Sequence, residues 1–217
     1  MYRRDIKRRV VLLGIPLLLG VLELGHPLLD HVNPIKMLAP IVVWWIILHV
    51  LLIPLLALMG WAFFLLLQGV ESRAATLCRY AAVVYIAFAI GYDAAVGLDS
   101  GILASNALAV SNAQQLVIQD ALHHLYANPA ITLSYYVYLS AGIVAVCAAI
   151  WALVRIGAPV LPACVLLGTL SSVYSHAAPF GPFGSACFFV AALWIEIVWR
   201  KSFQKESNAI AITSASQ

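Results

Sequence analysis

The residues best suited to chemistry in this sequence are His49 and Asp93, because each lies inside a long apolar stretch. A charged group at membrane depth costs several kcal/mol unless it is paired or hydrated, so such residues usually face a cavity and mark function. At about 1.5 Å of rise per residue, His49 lies about 12 Å and Asp93 about 10 Å below the outer ends of their helices. In a purely structural role, the His would donate to a carbonyl and a protonated Asp would bond to Tyr92 or Ser100. The similar depth of the two favours a common site.

Two further histidines lie toward the same side, His26 after the first apolar stretch and His176 at the end of the fifth. Three imidazoles with a carboxylate or a water form a reasonable ligand set for catalytic zinc or iron. We therefore predict His26, His49 and His176 as metal ligands, with Asp93 as the fourth ligand or as a general base. A metal would offset the cost of burying these groups and lower the pKa of a bound water. Because His49 should lie deeper than the other two, a bend or an inward-tilting loop must bring the three together.

Glu23 is the second carboxylate with a candidate catalytic role. The segment Glu23-Leu24-Gly25-His26 has the Glu-x-x-His spacing that places two ligands on one helix face in di-iron carboxylate bundles. Those proteins use the motif twice, with extra Glu from other helices, so its single occurrence here argues against iron of that kind. The alternative is an ordinary helix end, in which Pro27 stops the helix and the Glu23 side chain reaches toward water.

His123 and His124 form a separate pair in a polar stretch. They follow Asp120 at i+3 and i+4, a spacing that can orient an imidazole. Two adjacent residues cannot both face one point on a helix, so at most one of them can join a buried site. We expect both at the wet interface, and the sequence assigns them no role.

The composition requires lipid as the solvent for most of the chain. Of 217 residues, 64% are hydrophobic and only 10% are charged, against about 25% charged in a soluble domain. The net charge of +3 does not indicate nucleic-acid binding, because the basic residues form short clusters beside apolar stretches. We expect membrane lipid, and no nucleic acid, as a partner. The four cysteines occur singly without CxxC spacing, which predicts packing roles rather than a disulfide or a thiolate metal site.

Six apolar stretches approach the length of about 20 residues that a helix needs to cross a membrane. They cover residues 10–27, 41–67, 79–100, 132–154, 159–176 and 180–199. Between the third and fourth, residues 105–127 place apolar side chains at helical spacing among polar ones, which predicts an amphipathic helix on the outer interface. The predicted fold is an all-α polytopic bundle of six transmembrane helices plus this outer helix. Its parts are a basic cytoplasmic segment at 1–9, a membrane domain at 10–200 and a polar cytoplasmic tail at 201–217.

The basic residues predict the orientation of this bundle. Eleven of the twelve Lys and Arg residues fall on one side of the six-span arrangement, and only Lys36 falls on the other. Because cytoplasmic loops carry an excess of Lys and Arg, we expect both termini in the cytoplasm and the chain in the plasma (inner) membrane. All six histidines then fall toward the outer side.

Three short motifs together resemble those of a group of small polytopic bacterial membrane proteins of unassigned activity. They are Glu23-Leu24-Gly25-His26-Pro27, Tyr92-Asp93-Ala94-Ala95-Val96-Gly97 and His176-Ala177-Ala178-Pro179-Phe180-Gly181-Pro182. The resemblance implies a fold and implies no chemistry.

Three functions fit these residues. The first is a metal-dependent enzyme acting on a lipid-like or small apolar substrate. The second is a haem b electron carrier, with His49 and His176, or His26 and His124, as axial ligands. No histidine lies near the cytoplasmic side to hold the second haem that a relay across the membrane needs. The third is a non-catalytic transporter or accessory subunit, whose polar residues join helices and line a hydrated vestibule.

Overall fold

The computed structural model describes residues 2–28 and 32–199, with side chains at 6–28 and 32–197. Within these ranges the chain forms helices joined by short turns, which confirms the predicted all-α class. The helices are α1 (Tyr2–Leu24), α2 (Pro34–Leu66), α3 (Arg73–Ala107), α4 (Asn112–Tyr126), α5 (Pro129–Arg155), α6 (Val160–Tyr174) and α7 (Phe180–Leu193, continued by a π-helical turn over Trp194–Trp199). Asp30, His31 and the tail at 201–217 lie outside the described residues.

Four of the described helices, α2, α3, α5 and α7, are long and apolar enough to cross a membrane. Their outward faces carry large exposed apolar side chains, such as Val43 at 68% and Trp61 at 50% exposure. So many large apolar side chains on the outside of the bundle indicate that lipid surrounds these helices. These four helices indicate a multi-pass helical membrane protein. Of the two other predicted spans, α6 is a shorter apolar helix, and α1 carries several basic residues at its beginning.

Local hydrogen bonds explain where several helices begin. Ser72 accepts from Ala75 N at the start of α3, and Asn128 accepts from Ala130 N at the start of α5. At α4, Ser111 and Gln114 form a capping box, in which each side chain satisfies a free N–H group of the first helical turn. The helix predicted over 105–127 therefore begins only at Asn112, because α3 extends to Ala107.

The helices pack through small side chains, with α3 against α5 and α1 against α7. A Cβ added at Gly142 of α5 would lie 2.4 Å from Val173 Cγ1, and one added at Gly168 of α6 would lie 2.3 Å from Cys187 Sγ. Small residues allow such close approach, which supplies van der Waals contact between helices that gain little from the hydrophobic effect in lipid.

An ion pair lies at the end of the bundle where α1 begins. The guanidinium of Arg8 donates to both carboxylate oxygens of Glu196 in α7, and to Leu65 O at the end of α2 at 2.9 and 3.1 Å. The spacing of four residues between Glu196 and Arg200 predicts a surface ion pair between the two. Glu196 is instead fully buried, so that surface position is wrong, and Arg200 lies outside the described residues.

We expect Glu196→Gln to destabilise the bundle, because it leaves the Arg8 guanidinium without its counter-charge. Breaking a buried pair by removing one partner costs about 3–5 kcal/mol, which lowers the unfolding midpoint by roughly 10 °C in a chain of this size. Thermal unfolding of purified protein measures the change, and Glu71→Gln, at an exposed position, serves as the control. Equal midpoints for wild type and Glu196→Gln would show that the pair contributes nothing.

Candidate metal centre

Three imidazoles converge at the other end of the bundle. The ligand nitrogens of His26, His49 and His176 all lie within 4.8 Å of one another. The Nε2 atoms of His26 and His49 are 3.3 Å apart, and the ring centroids of His26 and His176 are 4.6 Å apart. His26 and His49 are 5% and 1% exposed. The structure therefore assembles the three predicted ligands into a cluster that could hold a metal ion.

Two connecting segments bring His26 and His176 to the depth of His49. Helix α1 ends at Leu24, so His26 lies in the turn that follows it. Helix α6 ends at Tyr174, so His176 lies in the link to α7. Ala178 N donates to His26 O at 3.2 Å and joins the two segments. They meet the requirement, predicted from helical depth, that an inward loop bring the three imidazoles together.

A π-helical turn in α3 provides the space for His49. Residues Asp93–Leu98 form this turn, a widened geometry that is rare and often found at functional sites. Gly97, within it, faces the imidazole so closely that an added Cβ would lie 1.9 Å from His49 Cδ2. Trp45 Nε1 donates to Gly97 O at 2.7 Å. This hydrogen bond holds α2 against the π turn and fixes the backbone beside the His49 ring.

The hydrogen bonds of two imidazoles assign their protons. His26 Nδ1 donates to Pro27 O at 2.7 Å, and His49 Nδ1 donates to Trp45 O at 2.8 Å. Because a carbonyl accepts only from a protonated nitrogen, both Nε2 atoms of the neutral rings carry lone pairs. Two lone pairs 3.3 Å apart repel each other unless a proton or a metal cation lies between them. Imidazoles that bind metals usually donate their other N–H to a carbonyl or carboxylate, and these two rings do so.

Asp93 adds negative charge beside the imidazoles. Its Oδ1 lies 3.4 Å from His176 Nε2 and 3.8 Å from His49 Nε2. The residue is 2% exposed, and neither carboxylate oxygen has a hydrogen-bond partner among the described residues. The bond to Ser100 expected for a purely structural role is absent there, since Ser100 Oγ donates to a backbone carbonyl instead. A buried carboxylate without a hydrogen-bond donor is costly, and positive charge at the imidazole cluster, from a protonated ring or a metal ion, would compensate its charge.

One pair of donor atoms already has the spacing expected around a small tetrahedral ion. Zinc binds imidazole nitrogens at about 2.0–2.1 Å, which places two ligands of a tetrahedral ion about 3.3 Å apart. The Nε2 atoms of His26 and His49 have this separation. With His176 and the Asp93 carboxylate nearby, the donor set is three nitrogens and one oxygen, which suits zinc or iron.

A cavity of about 150 Å³ adjoins the cluster, with the three imidazoles and Asp93 in its wall. The rest of the wall consists mainly of aromatic and small residues, including Trp45, Val96, Gly97, Tyr92, Tyr135, Tyr138, Tyr174, Ser175 and Ala177. A polar space of this size holds waters or one functional group of a substrate.

Glu23 does not line this cavity. Its side chain is fully buried, Ser185 Oγ donates to its Oε2 at 2.8 Å, and its Oε1 has no partner among the described residues. The alternative in which Glu23 reaches toward water is therefore wrong. Its carboxylate instead joins α1 to α7 one helical turn before His26.

His123 and His124 also lie outside the cluster. The His124 side chain is 80% exposed and its Nε2 lies 3.6 Å from Asp120 Oδ2. His123 Nε2 lies 3.1 Å from Val32 O, in an exposed contact between α4 and the link before α2. Both therefore contribute to the surface of α4.

The cluster does not match haem ligation. Axial imidazoles approach haem iron from opposite faces of a macrocycle, whereas His26, His49 and His176 converge beside one cavity of about 150 Å³. His124, the predicted partner of His26 in one haem arrangement, is on the surface. The geometry favours a metal ion over haem.

Trp45 is a site residue that was not predicted from the sequence. Its ring centroid lies 4.4 Å from that of His49 and 5.1 Å from that of His26. Its position four residues before His49 offers the one available signal, because residues at i and i+4 share a helix face. The π turn and the tyrosines of the cavity have no comparable signature in the sequence.

Comparison with models of known protein families, with characterised proteins and with solved structures finds no match to this chain. What the protein does must therefore be inferred from its own residues.

Proposed function

We propose that this protein is a membrane enzyme that uses a metal ion, held by His26, His49 and His176, to act on a lipid-like or small apolar substrate. The observation that carries the proposal is the convergence of three imidazoles, with the Nε2 atoms of His26 and His49 3.3 Å apart, beside a buried carboxylate that has no hydrogen-bond partner among the described residues. Lone pairs and a negative charge gathered in a low-dielectric interior are stabilised by a cation.

The donor set defines the chemistry. Zinc or iron held by the three imidazoles would supply a Lewis acid, and zinc would lower the pKa of a bound water to about 7. Asp93, 3.4 Å from His176 Nε2, would then act as a general base or as a fourth ligand. Hydrolysis is the reaction class that requires no further group. Glu23 acts in this proposal as a positioning residue, because its bond with Ser185 fixes the end of α1 from which His26 extends.

We expect close to one zinc or iron ion per chain in protein purified from membranes without chelators, in line with a single His-rich centre. Inductively coupled plasma mass spectrometry measures this content. His26→Ala and His176→Ala should each lose most of the metal, because two imidazoles no longer enclose the ion. His124→Ala is the matched control, since its side chain is exposed, and should keep it. Folded wild type that binds neither zinc nor iron(II) after reconstitution would overturn the proposal in favour of a non-catalytic transporter or accessory subunit.

We further propose that α1 and α6 cross the membrane with the four long helices, which gives six spans with the beginning of α1 in the cytoplasm. In support, Arg79 donates to Leu67 O and Val70 O at 2.9 Å, so basic side chains cluster at the end away from the histidines. The positive-inside rule then places the metal centre in the outer half of a plasma membrane.

Reporter fusions test this topology. An alkaline phosphatase, active only outside the cytoplasm, should be active when fused after Ala109 or Ala178, and inactive when fused after Gly69 or Gly157. These positions follow α3, α6, α2 and α5 respectively. Activity at Gly157, or inactivity at Ala178, would exclude the six-span arrangement.

A further inference from the structure

A second cavity, of about 360 Å³, adjoins the metal cavity beside α3, α5 and α6. Tyr92, Tyr135, Tyr174 and Ser175 line both spaces. These shared residues form a common wall between the second cavity, which we call the tyrosine cavity, and the cavity of the proposed metal centre.

The wall of the tyrosine cavity is polar without being charged. Its lining contains Tyr126, Tyr136 and Thr132 in addition to the shared residues, and no Lys, Arg, Asp or Glu among the described residues. Tyr92, Tyr136 and Tyr174 bring phenol groups to the cavity wall, and a phenol can both donate and accept a hydrogen bond. Phosphate groups in proteins are usually bound by Arg or Lys. A cavity of this kind suits a head group that exchanges hydrogen bonds but carries no charge.

An apolar furrow of about 480 Å³ continues from the tyrosine cavity along the lipid-facing seam of α3 and α5. Tyr136 lines both spaces, and the furrow is otherwise formed mainly by aliphatic side chains, including Leu77, Ala81, Val84, Val137, Ala141 and Val144. Because the lipid bilayer is as apolar as this wall, a hydrocarbon chain that moves from lipid into the furrow gains little binding free energy. The furrow orients the chain without binding it tightly. Selectivity must therefore come from the head group.

Building on the metal-dependent activity proposed above, we propose that the substrate is an uncharged amphiphile that enters from the membrane between α3 and α5. Its hydroxyl- or ester-bearing head occupies the tyrosine cavity, and its chain lies in the furrow. The succession of imidazoles, uncharged hydroxyls and aliphatic side chains along one path matches the polarity of such a molecule from its reacting group to its tail.

Photo-crosslinking with monooleoylglycerol that carries a diazirine in its acyl chain tests this inference. We expect adducts to map to residues 77–84 and 136–144. Unlabelled monooleoylglycerol should compete roughly ten-fold better than oleoyl lysophosphatidic acid, because burying a phosphate without a cationic partner is costly. The two competitors share the glycerol and the chain and differ in the phosphate.

Two neighbouring substitutions supply the control. Val144 in the furrow and Ile143 outside it are 39% and 41% exposed, adjacent and both β-branched. Val144→Trp should fill the furrow and reduce labelling several-fold, whereas Ile143→Trp should leave it unchanged. Adducts spread evenly over lipid-facing helices, equal competition by the phosphorylated lipid, or equal effects of both variants would overturn the inference.

The labelling also separates this inference from the proposed function, because it does not require a bound metal. Selective labelling of the furrow in a protein that binds no metal would support the amphiphile site while the enzyme proposal fails. Unselective labelling of a protein that binds metal stoichiometrically would overturn the amphiphile site alone.

Discussion

Gly97→Ala should abolish tight metal binding although residue 97 is no ligand. The added Cβ would lie 1.9 Å from His49 Cδ2 and 2.4 Å from its Nε2, so the imidazole must move out of the cluster. Its bond to Trp45 O would be broken in the same movement. Loss of the groups that orient a metal-bound histidine lowers metal affinity about 10- to 100-fold. Displacement of the His49 ring itself should lower the affinity by about 100-fold or more. Titration against a chromogenic zinc chelator measures the affinity.

The same helix supplies the control for this substitution. Gly91 has no heavy atom within 4 Å of an added Cβ, so Gly91→Ala should keep wild-type affinity. It should also gain up to about 1 kcal/mol of stability from the higher helix propensity of Ala. Gly97→Ala should instead lose about 1–3 kcal/mol by overpacking. In the double variant Gly97→Ala/His49→Ala the stability should recover while metal binding stays lost. Equal metal affinities of Gly91→Ala and Gly97→Ala would show that the contact with His49 has no role in the site.

The identities of the metal-ligand candidates were accessible from the sequence, because an imidazole or a carboxylate inside an apolar stretch is rare and costly enough to stand out. His26, His49, His176 and Asp93 all reach the same site in the structure. Glu23 was equally visible in the sequence, but its burial against Ser185 depends on the packing of α1 against α7. No local spacing encodes that contact.

The geometry of the site could not be predicted in the same way. An ideal straight helix keeps His49 below His26 and His176, and it was the early ends of α1 and α6 that removed this difference. The π turn at Asp93–Leu98 carries a long-range hydrogen bond from Trp45 Nε1 to Gly97 O. Helical periodicity contains neither feature. The four long spans were predictable because length and hydropathy are local properties. The crossing proposed for α1 and α6 depends in addition on tertiary context.

Asp93→Asn should change stability in opposite directions with and without metal. In metal-free protein, the wild-type carboxylate is buried with no hydrogen-bond partner among the described residues. Asn has almost the same shape, carries no charge and can donate to a lone pair of the neighbouring imidazoles, so the metal-free variant should unfold at a higher temperature than metal-free wild type. With metal bound, the carboxylate balances the positive charge of the ion, and its loss should weaken binding.

Thermal unfolding in chelator and in saturating zinc distinguishes these effects. A ligand at about 1,000 times its dissociation constant stabilises a protein by about 4 kcal/mol, or roughly 10 °C for a chain of this size. The unfolding temperature of wild type should rise by about that amount when zinc is added. Asp93→Asn should unfold at a higher temperature than wild type in chelator, and zinc should raise that temperature much less. Asp99→Asn, at an exposed position on the same helix, should behave as wild type. If Asp93→Asn were instead destabilised equally in chelator and in zinc, the carboxylate would be a structural contact between helices. A metal-dependent reaction would then have to proceed without it.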